Sequence, residues 1–145
     1  MTHERGLDAA LAAGLPVGGW CPASRWAEDG PIDARYPLRE TPSADPAQRT
    51  HWNVRDSDAT LVLCRGEPAG GTAITVDIAR RLGRPVLIIS PGEAGAGERI
   101  RSWIAHHAVA ILNVAGPRES EQPGIYACSV ALLSQVLTAS REAPI

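Results

Sequence analysis

Residues 59–90 read ATLVLCRGEPAGGTAITVDIARRLGRPVLIIS, and this stretch decides the fold. Ala59-Thr60-Leu61-Val62-Leu63-Cys64 is a short apolar run between polar residues, which predicts a buried strand. A turn-rich loop, 66–71, follows. Residues 72–82 then place Ile74, Ile78 and Leu82 at helical spacing, and Gly83 ends the helix. Pro85-Val86-Leu87-Ile88-Ile89-Ser90 predicts a second buried strand. The alternation continues downstream. A helix over 98–107 sets Ile100, Trp103 and Ile104 on one face, and Val109-Ala110-Ile111-Leu112-Asn113-Val114 reads as a third strand. A loop over 116–124 leads to a last helix, 125–140, that buries Val130, Leu133, Val136 and Leu137. Strands that alternate with long helices imply right-handed crossovers and a parallel sheet with helices on both faces. The expected class is doubly wound α/β.

Upstream the pattern is less regular. Residues 5–13 read as a helix ended by Gly14, and Leu15-Pro16-Val17-Gly18-Gly19-Trp20 as a short strand. Four prolines, Pro22, Pro31, Pro37 and Pro42, punctuate 21–42, an excursion over the sheet that is long for a compact domain unless it serves a site. Asp45-Pro46-Ala47-Gln48 opens a helix, with Asp as N-cap, Pro in the first turn and Gln where a capping box places it. That helix runs to about Asp56.

The chain has 145 residues, enough for one domain with a core and too few for two, so residues 1–145 are read as a single unit. Apolar residues make up 44% and charged residues 21%, which argues against disorder. A net charge of −2 gives no general reason to bind nucleic acid or an anionic membrane. All 14 basic residues are Arg, so Schiff-base and P-loop lysine chemistry is excluded. Cys21, Cys64 and Cys128 are odd in number and far apart, so no disulfide framework or CxxC site is expected. No apolar run reaches membrane-spanning length, and the N-terminal order is unlike a signal peptide, so the expected compartment is the cytoplasm.

Ligands of doubly wound sheets bind beyond the carboxyl ends of the strands. Gly66-Glu67-Pro68-Ala69-Gly70-Gly71-Thr72 occupies that place after the first strong strand. Gly70 and Gly71 let the backbone approach a ligand, Thr72 caps the helix or bonds an oxyanion, and the helix N-terminus favours anions. The same residues also suit a plain turn with a Thr cap, and they match neither the Walker pattern nor GxGxxG. After the third strand, Asn113 stands at a strand end, Gly116-Pro117 turns, and Arg118 reaches an anion bidentately or pairs with Glu119 or Glu121. Arg49, Asn53 and Asp56 share one helical face, either lining a polar pocket or forming a solvated stripe. The four histidines show no metal-ligand spacing, and no acid–base pair emerges.

Gly18-Gly19-Trp20-Cys21-Pro22, Ala27-Glu28-Asp29-Gly30-Pro31-Ile32 and Tyr36-Pro37-Leu38-Arg39-Glu40-Thr41-Pro42-Ser43 resemble the putative molybdenum carrier family. So do Gln48-Arg49-Thr50, Trp52-Asn53-Val54-Arg55-Asp56-Ser57-Asp58, Gly70-Gly71-Thr72, Asn113-Val114-Ala115-Gly116-Pro117-Arg118 and Pro123-Gly124-Ile125-Tyr126. The resemblance runs through nearly the whole chain in order. It implies a bacterial, Rossmann-like protein that binds a small anionic, phosphate-bearing ligand, with molybdenum cofactor as the named candidate. The ligand would lie across Gly70, Gly71, Thr72, Asn113, Gly116 and Arg118, with Arg49, Asn53 and Asp56 lining the pocket. A homo-oligomer is compatible with this reading.

Members of that family begin with a strand and a Ser-Gly-Gly-Gln-Thr-Gly-type loop ahead of the helix that here reads Gly6-Leu7-Asp8-Ala9-Ala10-Leu11. The expectation is therefore that the first strand and its glycine loop are missing from this sequence, through a misplaced start codon or, as the alternative, a real deletion in a degenerate copy. The alternative function that the resemblance implies is a hydrolase or transferase of the phosphoribohydrolase type acting on a nucleotide derivative. Its Pro-Gly-Gly-x-Gly-Thr-x-x-Glu motif is incomplete here, and Asp77 would have to replace the catalytic Glu.

Overall fold

The computed structural model describes Trp20–Cys21, Arg39–Glu40 and residues 46–142. In chain order the elements are β1 (Trp20–Cys21), β2 (Arg39–Glu40), α1 (Pro46–Arg55), β3 (Ala59–Leu63), α2 (Gly70–Arg81), β4 (Val86–Ile89), α3 (Ala96–His106), β5 (Leu112–Ala115) and α4 (Ile125–Glu142). The expected helix 5–13, the Asp45 cap and the expected loss of a strand ahead of residue 6 concern residues outside those described. Within the expected excursion 21–42, Arg39–Glu40 forms a strand that pairs in parallel with Trp20–Cys21, and β1 lies beside α1.

The main sheet is parallel, with β3 at its centre and the order β4-β3-β5. In register, Leu61 stands opposite Leu87 on one side and Val114 on the other. All five residues of β3 are buried, as its unbroken apolar run requires of a strand covered on both faces. Alternate side chains feed two cores. Leu61 and Leu63 join Ile89, Ala96, Ile100, Leu132, Leu133 and Val136 under α3 and α4. Val62 and Cys64 join Val76 and Ala115 under α2. The chain therefore has the doubly wound α/β architecture, with helices on both faces.

Crossover handedness explains this division. The path from β3 to β4 runs outward, and the path from β4 to β5 runs back past β3. Right-handed crossovers in opposite directions must pass over opposite faces, which puts α2 and α3 on different sides. The same rule makes the carboxyl ends of β3 and β5 a switch point, where α2 departs over one face and α4 over the other.

Two local expectations are corrected. The stripe Ile74, Ile78, Leu82 is not the inward face of α2. Ile74 is 53% exposed and Leu82 40%, while Thr72, Thr75, Val76 and Ala79 are buried. Two stripes of helical period coexist in this segment, and the one with smaller side chains lets the helix lie close to the sheet. The third strand begins at Leu112 rather than Val109. The Asp58 carboxylate accepts the N–H groups of Ala110 (2.9 Å) and Ile111 (2.8 Å), which diverts these donors from the ladder. Among the described residues, no helix is long and apolar enough to cross a membrane.

Candidate functional site

Two loops meet at the switch point, residues 64–69 after β3 and 116–124 after β5. They are held by side-chain to backbone bonds that substitute for further strand pairing. The Gln122 amide accepts the Arg65 N–H at 2.9 Å and donates to the Arg65 carbonyl at 2.9 Å. The Arg65 guanidinium donates to the Pro123 carbonyl at 2.9 Å and reaches Cys128 Sγ at 3.7 Å. A Cβ at Gly124 would come within 3.4 Å of that guanidinium, and the residue holds φ +87°, so glycine suits both the space and the backbone.

Sequence reasoning missed Arg65 and Gln122 as the joint between the loops. Their only signal was position after a strand, since the bonds span 57 residues.

α2 opens at this mouth. Its N-cap is Ala69, whose side chain makes no capping bond, so Thr72 is not the cap; Thr72 lies inside the first turn and is buried. The N–H groups of Thr72 and Ala73 turn back onto the Ala69 carbonyl at 3.2 and 3.3 Å. Those of Gly70 and Gly71, as the first residues of the helix, have no intrahelical acceptor. Gly70 adopts φ +54°, a left-handed conformation that favours glycine. A Cβ at Gly71 would meet nothing within 4 Å, so the space before the helix is open. The Thr75 hydroxyl donates to the Gly71 carbonyl at 3.0 Å and steadies the turn.

Loop 116–124 faces this mouth. Gly116 is buried and Arg118 exposed. Glu121 lies between the two loops. It accepts the Arg118 N–H at 3.0 Å and stands 3.9 Å from Arg118 Nε, and its other oxygen is 3.8 Å from the Cβ position of Gly70. Arg118 and the start of α2 thus flank one carboxylate. Glu119 accepts the N–H groups of Gly124 and, at 3.0 Å, Tyr126, so both its oxygens serve the N-terminus of α4.

The remaining candidates divide. Asn113 lies inside β5, not at its end. It is buried opposite Thr60 and donates to the Thr60 hydroxyl at 3.2 Å, which satisfies one polar group of each. On α1, Arg49 is half-buried and Asn53 buried, whereas Asp56 lies past the helix end and is exposed. Asp56 pairs bidentately with Arg55 at 2.8 and 3.1 Å, so it does not share the inward stripe of Asn53. Cys64 is buried at the end of β3, its thiol donating to the Gly66 carbonyl at 3.5 Å, and burial pushes its pKa up. Its burial and its bond to a carbonyl suit a packing role. Asp77 projects from α2 into solvent and pairs with Arg81 at 3.1 Å.

The donors at the mouth are backbone N–H groups and a guanidinium, chemistry suited to oxyanions rather than to a bare metal cation. These donors share the mouth with the Glu121 carboxylate, and the space in front of Gly71 is open, so the donor set suits an oxyanion such as phosphate.

The model of the circularly permutated YpsA SLOG family matches residues 2–137. The chain is also similar to a solved structure described as "Putative molybdenum carrier protein" from Syntrophus aciditrophicus SB, with 37% sequence identity and a TM-score of 0.90. The match covers 94% of this chain and 87% of that one. No curated protein matches the sequence.

Proposed function

Because this chain belongs to the circularly permutated YpsA SLOG family, we propose that it binds and carries a small phosphate-bearing ligand in the switch-point crevice. One observation carries the reading: the uncapped start of α2 and Arg118 stand on two sides of a single anionic position. The ligand's phosphate accepts the N–H groups of Gly70 and Gly71, where the helix dipole favours negative charge. Arg118 closes over it as a fork of donors. The similar Syntrophus protein carries molybdenum in its name, which makes molybdenum cofactor the first cargo to test. Gly116 turns the chain beneath Arg118. Arg49 and Asn53 belong to α1, which packs beside α2, and are assigned to the deeper wall of the crevice.

The placement of Asp77 favours a carrier over a phosphoribohydrolase. It is the acidic residue of α2, and it faces solvent in an ion pair with Arg81 rather than standing at the mouth.

Calorimetric titration of the protein with a pterin phosphate and with AMP tests the reading. Saturable binding of one of them is expected, and Arg118→Ala weakens it by at least about tenfold, the loss of a charge-assisted pair. Unchanged affinity in that variant rejects the role given to Arg118. Release of free base from AMP would instead favour the enzyme.

A further inference from the structure

The two carboxylates of loop 116–124 do different work. Glu119 spends both oxygens on the N–H groups that open α4, which fixes it as a cap. Glu121 is held more loosely. Its side chain is 48% exposed, its separation from Arg118 Nε is 3.9 Å, and its one close bond is to the Arg118 N–H at 3.0 Å. An exposed pair at such a distance is weak and screened by solvent, so it can exchange. It also stands beside Gly70 at the start of α2 and against Arg118, the two groups that flank the proposed anion position.

We infer that Glu121 is an exchangeable internal anion. It occupies the phosphate position of the ligand-free crevice and is displaced when a phosphate-bearing ligand binds. The inference rests on the binding role proposed for this crevice and adds how that site is regulated.

Electrostatics gives the reason for such a device. An N-terminus of α2 and an arginine facing one another repel when no anion separates them, and a carboxylate between them stabilises the empty loop. A phosphate that arrives must expel that carboxylate, since two anions cannot share the place. Glu121 therefore stabilises the empty form and lowers affinity by the same interaction. Weak anions are rejected, and only a ligand with further contacts along the crevice displaces it.

The experiment measures AMP binding by the unmodified protein and by Glu121→Gln at neutral pH and low salt. Gln keeps the shape and an acceptor for the Arg118 N–H but removes the charge. Affinity is expected to rise about three- to tenfold, the range set by a surface pair together with a helix-terminus charge. Affinity that is unchanged or lower in Glu121→Gln, with AMP still bound by the unmodified protein, overturns the inference and leaves the binding site standing. Failure of both proteins to bind AMP and pterin phosphate overturns both. A second measurement uses the unmodified chain alone. The amide proton of Arg118 loses its carboxylate acceptor on saturation with AMP, so its resonance moves upfield, whereas a downfield or absent shift contradicts displacement.

Discussion

Asp58 shows how one side chain sets where a strand begins. Its carboxylate accepts the N–H groups of Ala110 and Ile111, while its own N–H donates to the Ile111 carbonyl at 2.8 Å. These two backbone bonds hold its pKa below the usual carboxylate range, helped by the nearby Arg84. A depressed folded-state pKa adds stability that is fully present above the unfolded value, about 3.9, and is lost as the pH falls through the folded value. Asp58→Asn should therefore melt lower than the unmodified protein near neutral pH, with the gap narrowing below about pH 4. Thermal melts across that range check it, and a gap that does not change with pH would remove the linkage. Asn113 and Thr60 make a comparable point without charge, each satisfying the other inside the sheet.

The helices at the switch point are opened in contrasting ways. α2 starts on Ala69 with no side-chain cap, whereas α4 starts against Glu119. The first helix opens with no side-chain cap bond, and the second has its first donors satisfied within the chain. Glu119→Ala should cost about 0.5–2 kcal/mol, the usual loss for a cap. Chemical denaturation measures it. A change well below that range would mean that water replaces the carboxylate at no cost. The exposed stripe of Ile74 and Leu82 belongs to this scale too. Periodicity marked α2 as a helix, but two faces of the segment share that periodicity, and packing against β3 and β4 chose the one with Val76 and Ala79.

At the scale of the whole molecule, β3 carries the architecture, since both cores form on its two faces. Leu61 is fully buried in the larger core, so Leu61→Ala should destabilise by about 2–5 kcal/mol through lost burial and the cavity left behind. Urea unfolding checks this, and a loss below 1 kcal/mol, a value outside the usual range for a buried leucine, would place Leu61 outside a tightly packed core. The doubly wound class, the buried apolar strand after residue 58 and the family resemblance were all legible in the sequence, while the central place of that strand was not. The legible features depend on local hydrophobic period and on short motifs, which a chain carries whether or not it is folded. The candidate site was legible only in part. Gly70, Gly71 and Arg118 stood out as loop residues after strands, and the tertiary structure brings them to the two sides of Glu121. The inward turn of Asn113, the outward turn of Asp56 and the joint between Arg65 and Gln122 were not readable from spacing. Each depends on a partner supplied by a neighbouring element or by the end of a helix. Sequence alone determined the alternation of strands and helices from residue 59 onward. Only the tertiary structure decided which polar groups those segments spend on one another, because hydrogen-bond satisfaction is settled between elements distant in the chain.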